Sequence, residues 1–338
     1  MAQSLKVVIP MAGWGTRMRP HTWNKPKPLV TVAGKTSLDH LMDMFATLPD
    51  FNKAEFIFIV SPYLGELQIP AFILQNYPDI KAAYVTQAEM KGQSHALLLA
   101  KEYLEGPMIM CFSDTLMETN FSFLANETAD GVAWVKPVPD PRRFGVAELN
   151  AEGHIKRLIE KPKTTENNLA VVGCYYFKSS EALVDAIEEQ IKRDISLKGE
   201  YFLADAINIM LEKGNIMRTE QIEIWMDTGT IESTLDTNTY MLQHGRDNSA
   251  EAAGRTGVTI VPPVFIHASA QISDSVIGPN VSIGPDCEVN GCIIRASIVD
   301  DEAVVTDSVL SGSFIGRQAK VEGRAASINI GDNSTLRL

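Results

Sequence analysis

Residues 5–9 (LKVVI) form a short β-branched apolar run, the pattern of a strand buried on both faces. Gly13 and Gly15 follow, then a proline-rich loop at 25–28. Residues 37–48 (SLDHLMDMFATL) repeat apolar positions at helical spacing, with Ser37 placed to cap the helix. Further apolar runs at 54–60 (AEFIFIV), 82–87 (AAYVTQ) and 107–113 (PMIMCFS) predict three more strands, and 93–104 predicts a helix. Strands alternating with helices predict an α/β fold: a Rossmann-like, mixed and mainly parallel sheet covered by helices. In such sheets ligands sit at the carboxyl ends of the strands. Residues 13–17, Gln87 and Asp114 fall at those ends.

The pattern changes after about residue 245. Residues 243–257 (QHGRDNSAEAAGRTG) are small and polar and predict a linker. From 257 to 338 there are 22 Val plus Ile in 82 residues, one Lys and two aromatics, Phe265 and Phe314. Here a hexad recurs: Ile277-Gly-Pro-Asn-Val281-Ser runs directly into Ile283-Gly-Pro-Asp-Cys287-Glu and Val289, and Ile315-Gly-Arg-Gln-Ala319-Lys-Val321 repeats it. An aliphatic every six residues fits a parallel β-helix whose aliphatics point inward. A Val/Ile-rich β-sandwich is the competing architecture. The expected division is a catalytic domain at 1–245, a linker at 246–257 and a short hexapeptide β-helix at 258–338.

Composition narrows the function. The formal net charge is −12, so a phosphate-binding site must be a local basic pocket, and nucleic acid is not an expected partner. The four cysteines form no CxxC pair, which suggests neither a zinc site nor a disulfide framework. The N-terminus does not read as a signal peptide, and no run of ~18 apolar residues would span a membrane. A cytoplasmic location is expected.

The segment Ala12-Gly13-Trp14-Gly15-Thr16-Arg17 has glycines after a strand, which let backbone N–H groups approach a phosphate, and an arginine able to grip its oxygens. It fits neither a dinucleotide fingerprint nor a Walker A loop, since Leu29 stands where the first Walker glycine would precede Gly34-Lys35-Thr36. Arg17, Arg19, Lys25 and Lys27 crowd into one stretch of an acidic chain, with Pro26 and Pro28 stiffening Lys27. A polyphosphate site and a solvated basic loop both account for them.

Taken together, Gly13-Trp14-Gly15-Thr16-Arg17-Met18-Arg19-Pro20-His21-Thr22 and Pro26-Lys27-Pro28-Leu29 resemble the signature of the sugar-1-phosphate nucleotidylyltransferases, with Ala12 where many members have glycine. Gln87-Ala88-Glu89-Met90-Lys91-Gly92-Gln93-Ser94-His95-Ala96 resembles the family's base-reading segment, in its UTP-using form. The resemblance implies that Ala12, Gly13, Gly15, Thr16, Gln87 and Gly92 bind the nucleotide. It implies catalytic roles for Arg17 and Lys27, and metal ligation of Mg2+ by Asp114 and by Asp227 of Trp225-Met226-Asp227-Thr228-Gly229-Thr230. Ser113 replaces the glycine that usually precedes the first aspartate. Asp140-Pro141-Arg142-Arg143-Phe144-Gly145-Val146, Glu160-Lys161-Pro162, and Asn168 with Gly173 resemble the sugar-phosphate segments, so Gly145, Glu160, Lys161, Asn168 and Gly173 are expected there. Gly199-Glu200-Tyr201 matches a segment expected to be structural. The C-terminal hexads resemble the left-handed β-helix appended to many members.

The implied reaction moves a nucleotidyl group from UTP or dTTP to a sugar 1-phosphate, best matched by glucose 1-phosphate, with release of pyrophosphate, in a homo-oligomer. A mannose-1-phosphate guanylyltransferase and a noncatalytic regulatory subunit are the alternatives. An acyltransferase role for the hexads would need a histidine at a coil edge, and the region holds one, His267.

Overall fold

The computed structural model describes residues 4–323. By contacts the chain divides into two units, one of residues up to Val30 with Lys35–Ser233, the other of Thr31–Gly34 with the chain from Thr234 onward.

The first unit is built on a nine-stranded mixed sheet. Its strands are β1 (Lys6–Pro10), β2 (Glu55–Val60), β3 (Lys81–Thr86), β4 (Met108–Cys111), β6 (Gly131–Pro137), β7 (Gly145–Leu149), β8 (Ile155–Glu160), β9 (Leu169–Phe177) and β10 (Met217–Gln221). A separate two-stranded ribbon pairs β5 (Thr115–Met117) with β11 (Trp225–Asp227). The main path runs β8-β7-β9-β4-β1-β2-β3, with β6 beside β9 and β10 beside β6. The half from β3 to β4 is parallel, and β9 runs antiparallel to β4. The chain lays down β1, β2 and β3 outward in one direction, then returns to place β4 on the other side of β1. The strand order therefore reverses between β1 and β4, and that reversal opens a crevice at their carboxyl ends.

The apolar runs explain the core. Val7, Val8, Ile9, Phe56, Phe58 and Met108 to Cys111 are fully buried, as a strand covered on both faces requires. Helices α1 (Ser37–Phe45), α2 (Leu64–Asn76), α3 (Gln93–Leu99), α4 (Ser180–Lys192) and α5 (Leu203–Glu212) accompany the sheet. Two boundaries differ from the sequence reading. The cap of α1 is Thr36, which accepts the Asp39 N–H while Asp39 takes the Thr36 N–H, a reciprocal capping box; Ser37 is the first helical residue and its hydroxyl turns back to the Val30 carbonyl. The helix predicted for 93–104 ends at Leu99 and continues as a short 3-10 turn, Lys101–Tyr103, because Ala100 leaves helical geometry.

In the second unit three parallel four-stranded sheets stack into a β-helix, as the hexads predict. Ile277, Val281, Ile283 and Cys287 are all fully buried, and Ile315 and Val321 of the last hexad are partly buried against the same core. The coil is shorter than three full hexads. Val264 lies on Val281, a step of 17, and Ser282 lies on Ile298, a step of 16. The shortfall falls at the corners of Asp274, Gly291, Ala296 and Asp307, all at positive φ, whereas the corners of Asn280 and Asp286 belong to full hexads. Within the stretch read from composition as a linker, Ser249–Ala252 form one helical turn and Asp247 and Asn248 hydrogen-bond Val264 and Ile266. Among the described residues no helix is long and apolar enough to cross a membrane.

Asn238, fully buried, ties this unit together: its Oδ1 accepts from the Ala33 N–H at 2.9 Å and from the Ser282 hydroxyl at 2.6 Å. Asn238→Ala leaves two buried donors without an acceptor. The expected loss is about 2–4 kcal/mol of stability in urea unfolding followed by far-ultraviolet circular dichroism. A change below about 0.5 kcal/mol would show that those donors find water and that the tie is not structural.

Candidate active site

The crevice between β1 and β4 holds an open cavity of about 470 Å³. Its first wall is the loop after β1. Ala12 is buried, while Gly13 has open space on its Cα face. Gly15 has φ +59°, and a Cβ there would meet the Thr22 methyl at 3.0 Å and the Lys27 Cβ at 3.3 Å. Thr22 donates its hydroxyl to the Gly15 carbonyl, which fixes the turn, and Thr16–Met18 follow as one 3-10 turn. Ala12, Gly13, Gly15, Thr16 and Arg17 all line the cavity, as does the half-exposed indole of Trp14.

Lys27 opens a second 3-10 turn, entered through Pro26 and containing Pro28. Its ammonium makes an ion pair with Asp114, which stands just beyond β4. Burial works against ionisation of Asp114. The Lys27 ammonium, a hydrogen bond from it and the charge of Arg17 outweigh that penalty and hold the carboxyl below its usual range. The ribbon of β5 and β11 brings Asp227 alongside. Asp227 stands opposite Thr115 in register, the Thr228 N–H donates to the Asp114 carbonyl, and the Gly229 N–H donates to Asp227 Oδ1. Two aspartates distant in sequence thus share one strand end. Among the described residues no group of three or more His, Cys, Asp or Glu side chains could enclose a metal ion by itself.

The third wall follows β3. Gln87 is buried, and its Nε2 donates to the Gly92 carbonyl at 3.3 Å. Gly92 has φ +96°, and a Cβ there would lie 2.4 Å from the Tyr201 carbonyl oxygen, so only glycine fits between the Lys91 and Ser94 contacts to Tyr201. Glu200 closes this side of the cavity. It was expected to be structural; it lines the cavity, and its charge also acts on Glu160.

The residues expected to hold the sugar phosphate lie off the wall of this cavity, and of them Gly145, Glu160 and Lys161 come together. Gly145 pairs with Glu160 across β7 and β8, and a Cβ at Gly145 would stand 2.9 Å from Val171 and 3.2 Å from Glu160 Oε2. Burial raises the Glu160 carboxyl; Lys161, 3.8 Å away, offsets part of this and Asp205 adds to it. Lys161 has φ +46°. Gly173, at φ +89°, lies against the Phe112 ring, where a Cβ would come within 2.5 Å. Asn168 is exposed ahead of β9 and is not brought to the cavity. Sequence reasoning missed Trp14, Met90, Gln93 and Gly229 as wall residues. All four lie inside segments already singled out, and spacing alone does not say which residues of a segment face a cavity.

The site thus combines a mixed sheet, a glycine-rich loop and the Lys27–Asp114 ion pair at the switch point, with Asp227 on the strand paired beside it. The family model for nucleotidyl transferases matches residues 6–244, and one described as the GMPPB C-terminal domain matches residues 260–334. The chain belongs to the nucleotidyl transferase family and is a nucleotidyltransferase enzyme. It is 29% identical to the glucose-1-phosphate thymidylyltransferase of Streptomyces antibioticus, with 99% of both chains covered. It is 30% identical to the low-salt glycan biosynthesis nucleotidyltransferase Agl11 of Haloferax volcanii, over 99% of this chain and 100% of that one. A Bacillus anthracis chain assigned as a glucose-1-phosphate thymidylyltransferase and solved with sucrose shares the fold, with a TM-score of 0.60 and 22% identity over 70% of this chain and 95% of that one.

The ion pair generates a pH prediction. Asp114 is depressed while Lys27 is present, so the wild-type carboxylate contributes stability above its ordinary pKa and loses it only in strong acid. Lys27→Met removes the main counter-charge and leaves burial to raise that carboxyl. The variant should be less stable than wild type by about 1–3 kcal/mol at pH 7. That deficit should shrink toward pH 4, where Asp114 can take up a proton. Thermal unfolding across this range checks the sign; a deficit constant with pH would show that the pair does not govern Asp114.

Proposed function

We propose that the enzyme transfers a uridylyl or thymidylyl group from UTP or dTTP to a sugar 1-phosphate, best matched by glucose 1-phosphate, and releases pyrophosphate. The observation that carries this is the Lys27–Asp114 ion pair beside a glycine-rich loop at the sheet's switch point, with Asp227 on the strand that pairs next to Asp114. The full-length similarity to a glucose-1-phosphate thymidylyltransferase supports the choice of substrates.

In this reading the backbone of Gly13 to Thr16 cradles the triphosphate and Arg17 grips the departing β- and γ-phosphates. Lys27 neutralises the α-phosphate. Gln87 and Gly92 face the base, and Lys161 holds the phosphate of the sugar. Glu160, Gly145, Asn168 and Gly173 shape the sugar subsite. An oxygen of the sugar phosphate attacks the α-phosphorus in line; the new P–O bond forms as the bond to the β-phosphate breaks. That oxygen is already anionic, so no general base is needed, and the residues' task is alignment and charge neutralisation. Asp114 and Asp227 suit Mg2+, a hard ion held by one or two carboxylates together with substrate phosphates. Bound there, Mg2+ would supply charge stabilisation to the phosphates.

A matrix of five nucleoside triphosphates against glucose, N-acetylglucosamine and mannose 1-phosphates, read by pyrophosphate release, tests the substrates. UTP or dTTP with glucose 1-phosphate should give the highest kcat/KM. A preference for GTP with mannose 1-phosphate would replace this reading with guanylyl transfer, the alternative that the match to the GMPPB C-terminal domain raises.

Asp114→Asn and Asp227→Asn each remove one anionic oxygen donor. Each should raise the half-saturating Mg2+ concentration several-fold, so that the loss of rate is greater at low Mg2+ than at high. Unchanged half-saturation in both variants would remove the two aspartates from metal binding.

A further inference from the structure

Lys161 has a longer reach than its place at the end of β8 requires. Its backbone is held at φ +46°, its N–H donates to the Phe144 carbonyl at 3.0 Å, and its side chain remains half exposed. A lysine side chain free to sample its rotamers would hold no fixed position for an anion. Two groups restrain this one. Glu160 Oε1 lies 3.8 Å from the ammonium, and the ammonium stands over the face of Phe202, 4.8 Å from the ring centroid.

Phe202 is itself firmly seated. It is buried, and it stands immediately before α5. Its carbonyl accepts from Gln190 Nε2 at 2.9 Å and from the Asp205 N–H at 3.2 Å. The residues on either side are tied to the nucleotide wall. Tyr201 exchanges backbone hydrogen bonds with Lys91 and Ser94, and the Leu203 N–H donates to Gln93 Oε1 at 3.2 Å. The ring is thus a fixed surface, held on the same strap that closes the cavity through Glu200. An aromatic face attracts a cation and offers it no hydrogen-bond acceptor, so the ammonium keeps its donors for a ligand on its open side.

We propose that Phe202 is a positioning residue whose ring face holds the Lys161 ammonium where it grips the phosphate of the sugar 1-phosphate. The proposal rests on the reading of Lys161 given above. It predicts a selective effect, since the ring touches Lys161 and the cavity wall is formed by other side chains.

The test is steady-state kinetics with each substrate varied. Phe202→Leu keeps bulk and removes the aromatic face. KM for the sugar 1-phosphate should rise about threefold to tenfold, with a much smaller change in KM for the nucleotide. Phe202→Tyr, which restores the face, should return the sugar 1-phosphate KM to near wild type, an outcome that simple packing loss would not give. Phe202→Met serves the same purpose as the leucine variant should that one not fold. Lys161→Met should raise the same KM further, and adding Phe202→Leu in that background should change it little. If Lys161→Met raises KM while Phe202→Leu and Phe202→Met leave it unchanged, the positioning role is overturned. Equal weakening of both substrates by the leucine variant, or no rescue by tyrosine, overturns it too. If Lys161→Met itself leaves KM unchanged, Lys161 does not hold the sugar phosphate, and the failure lies in that earlier reading.

Discussion

An ammonium and a carboxylate withdrawn from bulk water cost more apart than together, and Lys27 with Asp114 is such a pair at the mouth of the sheet. Lys27 comes from the loops after β1 and Asp114 from the end of β4, so the pair spans the crevice that the reversal of strand order opens. It keeps a depressed carboxylate beside a lysine whose backbone is stiffened by two prolines. Each member is also what an incoming nucleotide would need from the site: a cation for phosphate and an oxygen donor for a metal. The pair balances its own charge, so any phosphate drawn to Lys27 would compete with Asp114 for the ammonium.

The glycines around that pair act by crowding as much as by flexibility. At Gly92 a side chain would strike the Tyr201 backbone, and at Gly173 it would strike Phe112, directly before Ser113 and Asp114. Both positions also have positive φ, so the demand is twofold. Gly92 brings the strap at 200–203 close to the nucleotide wall, and Gly173 lets β9 close on the strand end that carries Asp114. A Cβ at either place would shift wall residues by fractions of an ångström or more, in a site whose chemistry depends on alignment.

The sequence made the strands legible because β1, β2 and β4 are continuous apolar runs, and a strand covered on both faces has no other way to be written. The hexads were legible because each aliphatic must point inward. Coil length was not, since it depends on residues lost at corners such as Asp274 and Asp307, where backbone conformation and not hydrophobicity decides. The start of α1 was misread by one residue for a similar reason: Thr36 and Ser37 are both competent caps, and only the reciprocal bond to Asp39 chooses between them. In the site, Asp114 was placed by its position after a strand. Its proximity to Asp227 was not readable from spacing, because a ribbon formed far along the chain creates it.

Charge shows how an acidic protein can serve anionic substrates. The net charge of −12 repels polyanions at long range, which disfavours nucleic acid, whose binding grows with the number of phosphates neutralised. Arg17 and Lys27 stand at the cavity, whereas Lys161 stands with Glu160 off its wall. Screening limits the distant acidic surface to about 10 Å at moderate ionic strength, while cations in the crevice act at contact distance. Such an arrangement favours small phosphates that enter the crevice over extended polyanions. Burial raises the Glu160 carboxyl and the Lys161 ammonium 3.8 Å away offsets part of that rise, so at the end of β8, as at Lys27 and Asp114, a cation is held beside a carboxylate partly withdrawn from water.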